Sequence, residues 1–495
     1  MGAVPAEAVL AVLKQLSHDI RDLDVGSGVD RHQKLPVVQF LRDYVAANKP
    51  VILTGVVSHW PAFANWTDEY LCQLAGDTEV TVALTPNGRA DAVTPLPPNG
   101  SGSGSSSGGG DGGSGGGAAE GQSNGGSGGE GAAQRPQRVF ALPHQVKMPL
   151  KDFLLLLRSS KQSKLAASGD SAAELAAAQR QAAAAAAAPA CPGVVPYLQY
   201  QNSSLTAEVP QLLGDVDLLL SWATQAFGGL PEAVNLWIGD ERSVTSWHKD
   251  PFENIYAVVA GSKTFTLLPP ADIYRMRLRQ YASATYQPQG GAAADQEAVV
   301  SGAVPLTPVL DPTGETVLWS SIPPAPDAKP AAAGAAAAAT VAAGIAPGSG
   351  PATGNGVRFA VPDPENSRAA GAASPSASEA SSEGPGQQLW DPDLFNDPQL
   401  PPPIKVTVKA GEALYLPAMW WHHVEQEPDE HGRAIAVNYW YDMKFDARQA
   451  YLQAIERLAQ LIGLNEEPPA PPEVAGEAEP REGQLRPPYS NRAFG

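Results

Sequence analysis

The sequence predicts a mainly β fold, a sandwich or barrel of short strands flanked by helices, and three observations carry that reading. Short stretches alternate apolar and polar side chains, and Gly or Pro turn signals separate them. Apolar residues at helical spacing are concentrated near the two ends and in a few connecting segments. The other tracts are runs of Gly, Ser, Ala and Pro, which cannot bury a core. The chain has 495 residues, 49 of them Gly and 47 Pro. Setting those runs aside leaves roughly 300 globular residues, enough for one large domain.

Val9, Leu13, Leu16, Ile20 and Leu23 recur at helical spacing, so a first helix should bury that stripe. A second helix is expected from Phe40 to Val45, ended by Asn48-Lys49-Pro50, and a buried strand from Val51 to Thr54 closed by Gly55. Thr67 reads as an N-cap with Asp68 and Glu69 in the first turn. Glu79 to Leu84 alternates as a strand; Val139 to Leu142 and Met148 to Leu157 read as strand then helix. Tyr197 to Tyr200 alternates again, and Asp215 to Phe227 reads as a helix closed by Gly228-Gly229. Strands follow at Val234 to Ile238 and Asn254 to Ala260, and Lys263 to Leu268 is expected to hairpin back after Gly261-Ser262. Val304 to Pro308 can be ordered. Ile404 to Lys409, Ala413 to Pro417 and Ile435 to Tyr441 complete the strands, and Tyr451, Leu452, Ile455, Leu458 and Ile462 mark a last amphipathic helix. Residues 1–461 thus form one domain with low-complexity inserts at about 97–136, 160–192, 290–303 and 323–388, and a Pro/Glu-rich tail over 466–495.

Lys plus Arg number 33 against 52 Asp plus Glu, a net charge of -19. Nucleic acid is therefore a poor partner, since phosphate binding needs a clustered basic surface, and a basic protein partner suits the field better. Cys72 and Cys191 are the only cysteines, which excludes a disulfide framework and fits a reducing compartment. The start does not read as a signal peptide, and no apolar run is long enough for a membrane span. A cytoplasmic or nuclear protein is expected.

His248 and Asp250 stand two apart on an extended stretch, so their side chains share a face. A His and a carboxylate side by side supply two of the three ligands of a facial Fe(II) site. The pair His422-His423, after a strand-like stretch and between Trp421 and Val424, offers the third: one ring can turn inward while the next points away. Aromatic-flanked histidines also occur as satisfied core residues. A 2-oxo acid on such a metal needs a cation for its far carboxylate, and Lys263 is placed for it, while Thr245 can add a hydroxyl. A solvated lysine is the ordinary alternative.

Thr245-Ser-Trp-His-Lys-Asp250, Asn254, Gly261-Ser-Lys263, Gly411 to Val424 and Val437-Asn-Tyr-Trp-Tyr441 together resemble the Jumonji-C oxygenases, and within them the protein hydroxylases without reader domains. The resemblance runs from about Val37 to Leu461. It implies a double-stranded β-helix, the jelly-roll or cupin barrel, and the use of Fe(II), 2-oxoglutarate and dioxygen. It also implies iron ligation by His248, Asp250 and His422, with His423 a neighbour. Lys263 would bind the distal carboxylate of 2-oxoglutarate, with Thr245, Asn254, Asn438 and Tyr197 around the cosubstrate. Trp440 would wall the pocket and Gln199 would face substrate. The activity implied is lysyl C3-hydroxylation of a protein, a translation-associated GTP-binding protein being the suggested partner. Histone-lysine demethylation and a non-catalytic cupin binding module are the alternatives. The C-terminal helix is a candidate homodimer interface.

Overall fold

The computed structural model describes residues 4–97, 137–168, 193–323 and 392–468. Most of the expected inserts at 97–136, 160–192 and 323–388, and of the tail, therefore lie outside the described residues.

Two sheets, antiparallel apart from one edge pair, face each other. One has six strands in the order Asp30–Gln33, Val51–Thr54, Glu412–Leu416, Phe252–Ala260, Ala434–Asp442 and Ala233–Gly239. The other has four: Ile404–Lys409, Ser262–Leu268, Trp421–Glu427 and Thr245–His248. Period-two alternation decides what each face of the larger sheet packs against. Ile52, Tyr256, Val258, Leu414 and Ala436 turn into the barrel and meet Phe265, Leu267, Val406 and Val408 of the smaller sheet. Their neighbours Val51, Leu53, Ile255, Ala257, Ile435 and Val437 turn the other way, into a larger core shared with Phe40, Leu71, Phe153, Leu205 and Ala223. This is a double-stranded β-helix with helices covering one outer face.

Chain connection around Gly261 differs from the expected hairpin. Phe252–Ala260 pairs with Glu412–Leu416 and Ala434–Asp442, whereas Ser262–Leu268 pairs with Ile404–Lys409 and Trp421–Glu427. Gly261 is thus a corner that passes the chain from one sheet to the other. Its φ of +67° and an added Cβ that would collide with the Glu427 carbonyl leave room for glycine alone. Gly411 makes the matching corner, its N–H donating to the Val258 carbonyl at 3.0 Å.

Other elements also depart from expectation. The first helix, Ala6–Ile20, buries Leu10, Leu13 and Ser17, while Leu23 is 84% exposed beyond its end. The stripe turned because Ser17 binds Asp272 and Tyr274 in the interior. Only Ser221–Phe227 of the expected Asp215 to Phe227 helix is helical, since Asp215 is taken by the Trp66 indole N–H at 3.0 Å. Part of the tract at 290–303, expected as a low-complexity insert, is the helix Gln296–Val300, and Val299 is buried in the larger core. Leu278–Pro288 and Thr316–Ser320 are strands the pattern did not suggest; they pair with each other, and Leu278–Pro288 also pairs with Leu306–Leu310 and Arg138–Leu142. The first tail residue, Glu466, donates its N–H to the Leu278 carbonyl at 3.0 Å and so belongs to the fold.

One ion cluster ties the helical layer to the barrel. Buried Asp68 pairs with buried Arg433, accepts from Arg158 Nε at 3.1 Å, and Arg433 also donates to the Trp66 carbonyl at 2.7 Å. Desolvation pulls the Arg433 guanidinium down to about 10, so its carboxylate partner is needed. Asp68→Asn leaves that cation only its longer pairing with Asp429 at 3.9 Å and is expected to cost about 3 kcal/mol in equilibrium denaturation.

Candidate metal centre

The metal candidates are brought together by strand register. His248 closes Thr245–His248, and His422 on the neighbouring strand stands directly opposite it. Asp250 Oδ2 lies 3.7 Å from His248 Nε2 and 3.5 Å from His422 Nε2, and the two ring centroids are 4.0 Å apart. The Asp250 carbonyl accepts from Met419 N–H at 2.8 Å, which holds the loop ahead of His422 against the ligand segment. His248 Nδ1 is 2.8 Å from the Ser246 carbonyl and His422 Nδ1 is 3.0 Å from the Trp420 carbonyl. A carbonyl only accepts, so each Nδ1 carries and donates its proton, and both Nε2 lone pairs point at the common space.

Electrostatics suit a cation there. Burial holds His422 well below the usual histidine range, so its ring is neutral and able to ligate. Burial raises the Asp250 carboxyl, opposed by His248; a dication would reverse that shift. Two imidazoles and one carboxylate converging from one side are the donor set a facial Fe(II) site uses. His423 turns to the other face: its ring lies 5.8 Å from Trp247, and its Cα pairs with Thr266.

Deeper in the barrel lies Lys263, only 1% exposed. Alternation from Phe265 and Leu267 turns it inward, where its ammonium donates to the Tyr197 hydroxyl at 3.1 Å and to Gln426 Oε1. Among the described residues it has no carboxylate partner. Desolvation pulls its pKa from 10.5 down to about 7. A buried ammonium held only by neutral groups marks a place for an anion. Tyr197 accepts from Lys263 and keeps its own O–H to donate.

Gln426 was not foreseen, although the signal was present: it stands four residues past His422 on one strand, so both face inward. Its Nε2 donates to the Asp240 carbonyl at 2.6 Å, which fixes the amide with Oε1 toward Lys263. Asn254 and Asn438 are also brought together, Asn438 Nδ2 donating to Asn254 Oδ1 at 3.2 Å. Trp237, a second unforeseen residue, donates from Nε1 to Asn438 Oδ1 at 2.8 Å. Thr245 is three residues before His248, a spacing that would put it on the opposite face. The register shift between His422 and Val424 supplies the extra residue of a bulge and returns Thr245 to the metal side. Trp440, two residues past Asn438 on the same strand face, stacks on Phe252 at 4.9 Å. Gln199 donates to Asp91 Oδ2 at 3.3 Å.

A family model for the cupin-like domain matches residues 37–447. Over 449 residues the chain is 33% identical to the lysine-specific demethylase JMJ32 of Arabidopsis thaliana, covering 90% of this chain and 91% of that protein. The chain belongs to the JmjC proteins of the cupin-like family. This JmjC chain is also 30% identical over 469 residues to the human bifunctional peptidase and (3S)-lysyl hydroxylase JMJD7, covering 94% of this chain and all of that protein. The JmjC domain-containing protein E of Dictyostelium discoideum is 27% identical over 449 residues. JmjC proteins are oxygenases that use Fe(II) and 2-oxoglutarate, and the His248, Asp250, His422 constellation is compatible with iron.

Proposed function

We propose that the protein is an Fe(II)- and 2-oxoglutarate-dependent protein hydroxylase acting at C3 of lysine side chains. His248, Asp250 and His422 would hold the iron. Lys263, flanked by Tyr197 and Gln426, would hold the distal carboxylate of 2-oxoglutarate, while Thr245 and the Asn254–Asn438 pair line the space around it. The observation that carries this reading is the buried ammonium without an acid, in the same barrel as three converging metal donors. Iron with its cosubstrate supplies the oxidation: one oxygen atom of dioxygen goes into a substrate C–H bond, the other into succinate, with release of carbon dioxide. The chain's own residues position the reactants and exclude water. Lysine is favoured as target by the lysyl hydroxylase and lysine demethylase names of the two relatives matched over most of the chain.

Demethylation of a methylated lysine is the second reading, favoured by the Arabidopsis relative. Incubating the protein with cell extract, Fe(II) and 2-oxoglutarate separates the two by mass spectrometry: lysines gaining an oxygen support hydroxylation, and lysines losing methyl groups overturn it. A GTP-binding substrate rests on the family resemblance alone. A homodimer through the helix Ala447–Leu461 has one structural support, the exposure of Tyr451 and Leu461.

The titration of Lys263 gives cosubstrate binding a pH dependence. In the ligand-free protein the ammonium loses its proton as pH rises through about 7, whereas an unfolded chain keeps it to about 10.5. Ligand-free stability therefore rises with pH across that window, because the unfolded state binds more protons. An anion selects the protonated form, so 2-oxoglutarate affinity is expected to fall above about pH 7 with uptake of a proton. Calorimetry with Mn(II) in place of iron, in buffers of different ionisation enthalpy, measures both.

A further inference from the structure

A second unpaired charge lies beside the metal donors. The loop of residues 86–91 is pressed against the segment that leads to His248: Val244 N–H donates to the Gly88 carbonyl at 2.9 Å, and an added Cβ at Gly88 would collide with the Arg242 carbonyl. Ser246 donates its hydroxyl to the Asp91 carbonyl at 2.7 Å, and Trp319 Nε1 donates to that same hydroxyl at 3.1 Å. The Trp319 ring lies parallel to His248, 6.3 Å between centroids. These bonds hold Asp91 in the left-handed region, φ +52°. Its carboxylate accepts a hydrogen bond from the Gln199 amide at 3.3 Å, and its own backbone is tied to Ser246, two residues before His248. Among the described residues it forms no ion pair. Loss of water pushes its carboxyl up to about 6.

Lys263 and Asp91 are thus complementary: one is a buried cation short of an anion, the other a half-buried anion short of a cation, and the metal donors accompany both. We propose that Asp91, steadied by Gln199, receives the side-chain ammonium of the target lysine and thereby selects the residue that is oxidised. This rests on the lysyl reading above. Anchoring the stem by its charged end leaves an inner methylene to face the metal. An acid and an amide also discriminate between the two readings. A primary ammonium has three N–H donors to satisfy them, whereas a fully methylated one has none and is held by aromatic cages.

The test uses the full chain with Fe(II) and 2-oxoglutarate. The peptide around the strongest modified site from cell extract is synthesised with its lysine and, separately, with norleucine, which keeps the stem and lacks the amine. The native protein is expected to favour lysine in kcat/KM by roughly ten- to a hundredfold, the range of a charge-assisted hydrogen bond. Asp91→Asn, which tolerates the same backbone conformation, should bring that ratio near one, while 2-oxoglutarate affinity measured with Mn(II) stays as it was. Gln199→Leu leaves the loop untouched and should lower the ratio in the same direction. Asp91→Asn with an undiminished ratio overturns the inference while the lysyl reading stands. Modification confined to residues other than lysine in the native protein overturns the lysyl reading and the inference with it.

Discussion

His422→Ala is expected to abolish metal binding and turnover, and His423→Ala to keep both. The two residues are adjacent in sequence and both are buried, so burial and chain position do not separate them. Register does. His422 stands opposite His248 with Nε2 3.5 Å from Asp250, whereas His423 lies on the reverse face against Trp247. Losing a direct ligand should exceed the roughly 10–100-fold that changes behind a ligand cost in metal affinity. His423 fills the interior on its own side, and burial pulls its ring down to about 4, so it is neutral there. Its removal should cost stability, about 1–3 kcal/mol, as other buried truncations do. Mn(II) binding followed by electron paramagnetic resonance, paired with thermal denaturation, reads both effects. Metal loss in His423→Ala with retention in His422→Ala would falsify the ligand assignment.

Lys263→Met should act with opposite signs on function and stability. Removing one partner of a desolvated charge pair costs about 2–5 kcal/mol of binding, which puts the rise in 2-oxoglutarate KM at roughly thirtyfold or more. The ligand-free fold, in contrast, is relieved of a buried ammonium held only by Tyr197 and Gln426. Met keeps much of the stem volume, so the denaturation midpoint is expected to rise. A lysine serving only as packing or as a surface charge would shift neither quantity this way. Gln426→Leu removes one neutral acceptor and should have the smaller effect on KM.

The parts of the site that could be read from the sequence were those that depend on local alternation or on a spaced motif. His248, Asp250 and Lys263 lie close together in the chain, and strand periodicity alone puts the two ligands on one face. Thr245 needed a bulge to reach that face, and a bulge is set by the partner strand. Gln426 was legible in principle, four residues from His422, but its meaning depends on the pairing of Trp421–Glu427 with Ser262–Leu268. The hairpin expected at Gly261 failed for the same kind of reason: a glycine turn shows that the chain changes direction, and only long-range pairing shows whether it stays in one sheet. Asp91 and Trp319 carried no signal, since one ends a loop and the other sits on a strand whose burial shows no period-two alternation. They reach the metal side through hydrogen bonds with Ser246 that join segments far apart in sequence.

The most direct test of the centre is succinate formation from 2-oxoglutarate by the full chain, with and without Fe(II), in air and under argon, beside Asp250→Ala. Succinate is expected only when iron and dioxygen are both supplied, and to vanish in Asp250→Ala, because that carboxylate joins both histidines at the site. Succinate formed without iron, or undiminished in Asp250→Ala, contradicts an oxygenase centre built on His248, Asp250 and His422.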